Sequence, residues 1–181
     1  KRKNMSQVIL TRGLPASGKS TWAKQWVAKK PTNRTRVNKD DLRALLHEGK
    51  FSRGNESQVE AAEVAIVLDA IRANKDVVID NTHLATNKDG GNKHLNRFKL
   101  AVKDAGLNGK AEFHFQDFLD ISPEECIKRD LQRTNSVGQD VIWKWYWSSV
   151  AEIEEPESLD FSPTGGVEAE SAIIVDMDGT L

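Results

Sequence analysis

The chain has 181 residues, 29% of them charged, and its 26 Lys and Arg against 27 Asp and Glu leave a formal net charge of −1. That length suffices for one full domain with a real core, and the even charge balance excludes a chain that is basic or acidic throughout, so any surface for a polyanion has to be local. A single cysteine, Cys126, excludes an internal disulfide and, with no second thiol or His cluster, a zinc site; a small buried thiol in a reducing, cytoplasmic setting is expected.

No apolar run approaches the roughly 20 residues of a membrane span, and the basic tip Lys1, Arg2, Lys3 leads into no signal-type apolar stretch, so no membrane partner is expected. The tip is read as a chain end, with a phosphate-binding arm as the alternative. Residues 8–11 form a short apolar strand that runs straight into a Gly-rich turn and a helix starting near Lys19. A strand at 35–38 precedes a helix at 40–46. A further strand at 77–80 follows a helix in which Val59, Ala62, Ile66, Ala70 and Ala73 recur near helical spacing. The rhythm continues with a helix at 92–105, a turn at 106–109 and a strand at 111–115. Ser122, Pro123 and Glu125 then form a capping box with proline at the first helical position, opening a helix expected to run to about Thr134. This alternation predicts an α/β fold, a central parallel sheet with helices on both faces and ligands at the carboxyl ends of its strands.

Residues 1–150 are therefore assigned to one domain. Residues 151–171 are acidic, contain Pro156, Pro163, Gly165 and Gly166, and read as a linker. An apolar strand at 172–175 then runs into Asp176-Met177-Asp178-Gly179-Thr180, and residues 172–181 suggest the opening of a second, truncated domain.

Gly13-Leu14-Pro15-Ala16-Ser17-Gly18-Lys19-Ser20 matches G-x-x-x-x-G-K-[ST] between a strand and a helix. Glycines let the backbone N–H groups converge on phosphate oxygens at a helix N-terminus; Lys19 then reaches the β and γ phosphates of ATP, and the Ser20 hydroxyl binds Mg2+. Asp40, in Asn38-Lys39-Asp40-Asp41-Leu42-Arg43, lies at the end of the second strand, where a carboxylate can accept the proton of an attacking hydroxyl; a helix N-cap is its alternative. Arg43 shares a helical face with Asp40, suited to orient it or to bind an acceptor phosphate. Asp80, ending the third strand before Asn81 and Thr82, can hold Mg2+ or lead into an Asx-type turn. Arg129 and Arg133, one turn apart, can close as a helical lid over ATP or form an ordinary charged helix face beside Lys128. The polar residues 134–139 suit a lid hinge. Trp143, Trp145 and Trp147 are read chiefly as packing, with base stacking as the alternative; Trp22 and Trp26 are read as core.

Taken together, Gly13 to Trp22, the Asn38 to Arg43 segment, Asp80-Asn81-Thr82, Arg129 and Arg133 resemble the 5′-hydroxyl kinase domain of the phage-type polynucleotide kinase/3′-phosphatase family, over about residues 7–150. The Asp176 to Thr180 segment resembles the signature of haloacid dehalogenase-type phosphatases, with Asp176 as nucleophile and Asp178 as acid/base. The resemblance implies a P-loop kinase fold and transfer of the γ-phosphate of ATP to a 5′-hydroxyl DNA or RNA end. It also implies nucleotide contacts from Gly13, Pro15, Ala16, Ser17, Gly18, Lys19, Ser20 and Thr21, with lid contacts from Arg129 and Arg133. Asp40 then serves as the base, Arg43 as the acceptor-phosphate ligand, and Asn81 and Thr82 lie beside the acceptor. The family pattern has a functional Asp where this chain has Asn81, and an amide can position a group but cannot take its proton. A small-metabolite kinase of the gluconate or shikimate type and a nucleotide-binding switch are the rival readings; homo-oligomerisation is compatible with each.

Overall fold

The computed structural model describes residues 5–88 and 90–151. The basic tip, all but Ala151 of the linker expected at 151–171, and the segment with Asp176 and Asp178 lie outside the described residues. In chain order the elements are β1 (Ser6–Gly13), α1 (Lys19–Ala28), β2 (Arg34–Val37), α2 (Lys39–His47), α3 (Arg53–Arg72), β3 (Asp76–Ile79), α4 (Lys93–Asp104), β4 (Ala111–Phe118), α5 (Pro123–Asp130) and α6 (Gln139–Trp145), closed by one π-helical turn, Tyr146–Val150.

The four strands pair in parallel in the order β2-β3-β1-β4. Val8 lies opposite Val77 and Phe113, and Leu10 opposite Ile79 and Phe115. Side chains alternate between faces, so Val8, Leu10, Val77 and Ile79 point one way, into Val59, Val67 and Ile71 of α3 and Phe98 and Val102 of α4. Ile9 and Val78 point the other way, onto Ala23 and the flanking Trp22, Trp26 and Val27 of α1. Helices cover both faces. A strand buried on both sides needs consecutive apolar residues, which is why 8–10 read as an unbroken run.

From β1 the chain passes beyond β3 to β2, and from β3 it crosses back over β1 to β4. Connections thus leave in opposite directions between β1 and β3, which opens a crevice at their carboxyl ends. That topology brings residues 13–20 beside residues 80–82; the backbone N–H of Gly13 donates to the Thr82 carbonyl at 3.1 Å.

Caps set several helix starts. Ser52 opens α3 by accepting from the Asn55 N–H, Asn92 opens α4, and Ser122 opens α5 with Pro123 in its first turn. Helix α5 ends at Asp130, short of Thr134, because Asp130 turns its carboxylate to the residues that follow, accepting from Ser136 Oγ at 2.7 Å and from the N–H groups of Val137 and Gly138 at 2.9 and 3.0 Å. The expected hinge loop is therefore pinned at its far end. The side of α3 facing the sheet carries Val59, Glu63, Val67, Ala70 and Ile71, so the buried stripe is rotated from the apolar pattern and contains a carboxylate. A third apolar cluster joins Leu14 and Leu84 to Cys126, Ile142 and Val150, tying α5, α6 and the π-helical turn to the base of the Gly-rich turn.

Asn38 caps α2, its Oδ1 accepting from the Asp41 N–H at 3.0 Å, while its Nδ2 donates to the Asp80 carbonyl. One side chain thus starts a helix and binds it to β3. Asn38→Ala is expected to cost about 1 to 3.5 kcal/mol, from roughly 0.5 to 2 for the cap and 0.5 to 1.5 for the second bond. Asn38→Asp, which keeps the cap oxygen but loses the amide donor, should recover part of it. Urea unfolding of the two variants measures this, and an Ala variant as stable as the parent removes Asn38 from that role.

Candidate active site

The Gly-rich turn owes its shape to its backbone. Gly13 has φ +154°, and a Cβ there would sit 2.8 Å from the Phe118 carbonyl oxygen; Gly18 has φ +103°. Ala16 also adopts a positive φ, +62°, a conformation that costs an alanine free energy and persists where the surroundings enforce it. Helix α1 begins at Lys19 with no side-chain cap and no acidic residue in its first turn, leaving its N-terminal N–H groups and dipole to an incoming anion. Lys19 is buried, and its Nζ donates to the carbonyl of Gly13 at 3.0 Å, to that of Leu14, and to Ser17 Oγ at 3.4 Å. Burial pushes its pKa down to about 8, with Asp80 pulling it back up.

Ser20 Oγ donates to Asp80 Oδ1 at 3.1 Å, and Asp80 is almost fully buried. Its other oxygen, Oδ2, accepts from Arg36 Nε at 2.7 Å, and Arg36 continues to Asp41. A hydroxyl and a carboxylate in contact are the hard oxygen donors that Mg2+ takes alongside nucleotide phosphates, so Ser20 and Asp80 suit that ion.

A cleft of about 610 Å3 is lined by Ala16, Gly18, Lys19, Ser20, Thr21, Trp22, Gln25, Arg129 and Arg133. The fold thus brings Arg129 and Arg133, the arginines expected to form a lid, to the Gly-rich turn. Arg129 is anchored by Glu125 at 2.7 Å and Arg133 lies 3.5 Å from Asp130. Trp22 and Trp26, expected in the core, are half-buried instead; they stack at 6.2 Å, and Trp22 forms one wall of the cleft. Helix α1 packs on one face of the sheet with Ala23 turned to Ile9 and Val78, so only its inner side is covered.

Asp40 and Arg43 are on α2, outside that cleft. With Asn38 as the cap, Asp40 is released from capping, and its side chain is 83% exposed and hydrogen-bonded to Arg43 Nη1. Arg43 in turn is held in a fork by Glu56, from Nε at 2.8 Å and Nη2 at 3.1 Å. Asn81 reaches the same region: its Oδ1 accepts from the Lys39 N–H at 3.1 Å and its Nδ2 donates to Glu63 at 2.6 Å. Lys39 bonds Glu56 and Glu60, and Arg97 bonds Glu60 and Glu63, which closes a network over α2, α3 and α4. Burial raises the Glu63 pKa against the pull of Arg97. His83, with φ +45°, is buried beneath this network; its Nδ1 donates to the Thr11 carbonyl at 2.8 Å. Burial lowers its pKa to about 3, so it is a neutral clamp between β1 and the end of β3.

Arg36, Asn38, Glu56, Glu63 and His83 are the residues that sequence reading missed. Glu63 was findable, as a lone carboxylate at i+4 from Val59 and i−4 from Val67. Of the tryptophans, Trp145 packs on the third apolar cluster, while Trp143 stacks on Trp147 at 6.0 Å and Trp147 is 65% exposed. The adjacent groove is edged by Asp120 and Glu124, which disfavours a phosphate backbone there.

Residues 8–142 match the family model described as an AAA domain. A chain in the structure of the Pnkp1/Rnl/Hen1 RNA repair complex is 25% identical, with a TM-score of 0.60 over 78% of this chain and 43% of that one. A second structure of the Pnkp1/Rnl/Hen1 complex gives 26% identity and a TM-score of 0.54 over 72% and 40%. The APS kinase CysC of Mycobacterium tuberculosis, in complex with AMPPNP and APS, shares the fold at 18% identity and a TM-score of 0.52, over 71% and 70%. This chain spans about two fifths of the length of the RNA repair complex chains it matches. Among the described residues, no helix is long and apolar enough to cross a membrane.

Proposed function

The chain belongs to the AAA domain family and has the fold of P-loop kinases, and from that premise we propose that it transfers the γ-phosphoryl group of ATP to the 5′-hydroxyl of a DNA or RNA end. The observation that carries this reading is the Asp40–Arg43–Glu56 arrangement: an exposed carboxylate beside a guanidinium whose other edge is locked by a second carboxylate. A base and an anion ligand held side by side suit a hydroxyl that is flanked by a phosphate. The likeness to chains of an RNA repair complex supports the same acceptor class.

In this mechanism the P-loop N–H groups and Lys19 hold the β and γ phosphates in the cleft. Arg43 takes the phosphate on the 3′ side of the terminal nucleoside, which brings the 5′-hydroxyl to Asp40. Asp40 accepts the hydroxyl proton, the oxygen forms a bond to the γ-phosphorus, the bond to the β–γ bridging oxygen breaks, and ADP leaves. Arg129 and Arg133 offset the charge spreading over the transferring group. Ser20 and Asp80 would hold Mg2+, which when bound neutralises phosphate charge; Arg36 fixes the Asp80 carboxylate. Asn81 positions the start of α2 through the Lys39 N–H, and Thr82 joins the end of β3 to Gly13 through its carbonyl. We also propose that Asp176 and Asp178 belong to a following phosphatase unit.

Label transfer from ATP tests the assignment. A nucleoside 3′-monophosphate should be phosphorylated at least tenfold more efficiently than the free nucleoside, since charge-assisted bonds are worth about 1.5 to 3 kcal/mol, and Arg43→Ala should narrow the gap. Gluconate or shikimate outcompeting both would establish a metabolite kinase. ATP hydrolysis with no transfer to any acceptor would establish a nucleotide switch.

A further inference from the structure

We propose that the loop after α2 is a second acceptor subsite, in which Phe51 stacks on the base next to the reacting nucleotide while Lys50 and Arg53 meet the backbone phosphates. The inference rests on the reading of Asp40 and Arg43 as the acceptor site. Phe51 is 71% exposed, and Lys50 and Arg53 on either side of it are exposed too. Neither cation forms an ion pair among the described residues. An aromatic ring left in water between two unpaired cations contributes nothing evident to the core, and it has the composition of a platform for a single strand.

The loop is framed by Arg43 at both ends. Its start is fixed by the Gly49 N–H donating to the Arg43 carbonyl at 3.0 Å. Its end enters α3 through the Ser52 cap, one turn before Glu56, the residue that holds the Arg43 guanidinium. In between, Asn55 Nδ2 donates to the Lys50 carbonyl at 3.1 Å. Helix α2 sets the direction of travel: Asp40, Arg43 and His47 share a face, and from Arg43 to the helix end at His47 is about 6 Å at 1.5 Å per residue. A strand with its 5′-hydroxyl at Asp40 and its first phosphate at Arg43 therefore reaches the loop with the next nucleotide. The two cations favour a polyanion over an apolar protein segment at this position.

Steady-state transfer by the full chain at saturating ATP, with a nucleoside 3′-monophosphate and a single-stranded trinucleotide as acceptors, separates the subsites. The wild type should show a KM for the trinucleotide about 5-fold to 150-fold below that for the mononucleotide, the range of one base–aromatic stack. Phe51→Ala should erase that advantage and leave kcat and the mononucleotide KM unchanged, while Phe51→Tyr should retain it. Replacing Lys50 and Arg53 together with Gln should flatten the salt dependence of the trinucleotide log KM by about 0.7, the value for the single phosphate that a trinucleotide carries beyond the one at Arg43. An unchanged trinucleotide KM in Phe51→Ala, with both acceptors still reacting, overturns the subsite and leaves the acceptor reading standing. If wild type phosphorylates neither acceptor, that reading falls; fluorescence anisotropy of a labelled trinucleotide then judges the loop, with binding lost in Phe51→Ala supporting it and equal or absent binding overturning it.

Discussion

Lys19→Ala is expected to lower kcat by at least about a hundredfold to a thousandfold, the loss that follows removal of one preorganised donor from developing charge. The ammonium is buried at the floor of the cleft and held on the carbonyls of Gly13 and Leu14, where neighbouring groups shield it from water. A charge in such surroundings acts strongly on phosphate oxygens, since little solvent screens it. Arginine is no substitute, because a planar guanidinium does not occupy the space of a compact ammonium. The fold itself should survive the change, as a buried cation is replaced by a neutral side chain. Its lowered pKa supplies a second readout. Between about pH 8 and 10.5 the unfolded chain binds this proton more fully than the native one, so the wild type gains stability with rising pH across that window, and Lys19→Ala lacks the gain. Single-turnover transfer and melting against pH measure both effects; turnover within tenfold of wild type would take Lys19 out of the donor site.

Asp40→Asn should reduce kcat by about a hundredfold to ten-thousandfold, the range for losing a general base, while ATP affinity stays as it was. Asparagine can still accept the Arg43 hydrogen bond but not a proton. Since Asn38 caps α2, the helix does not depend on Asp40, and Asp40 is no part of the cleft around the P-loop. Calorimetric titration with ATP and transfer assays on the same preparation separate the two steps. Near-normal turnover would disprove the base assignment. A collapse of ATP binding would instead make Asp40 part of the donor site.

The sequence by itself determined what is local. Gly13 to Ser20 is one contiguous turn between a strand and a helix, and its conformation needs glycine at fixed offsets, so its chemistry is written in a single short segment. The Ser122 cap, formed without the reciprocal bond because the Glu125 carboxylate goes to Arg129, and the alternation of strands and helices are local in the same sense, and from the alternation the parallel sheet and its covering helices followed. Short-range spacing also paired Asp40 with Arg43 and Arg129 with Arg133. Tertiary structure decided what those residues touch. Asp80 meets Arg36 across 44 residues of chain, Arg43 meets Glu56 across 13, and Arg97 meets Glu63 across 34, contacts that no helical or strand period encodes. Glu63, at buried-face spacing from Val59 and Val67, was passed over because a carboxylate in an apolar stripe reads as a solvent-facing interruption until its partner Arg97 is seen. Between the two readings of Asp40, cap or free carboxylate, position along the chain could not choose: Asn38 and Asp40 both suit a cap. The strand pairing chose, because β3 places the Asp80 carbonyl where the Asn38 amide can bind it, leaving the cap to Asn38 and the exposed carboxylate to Asp40.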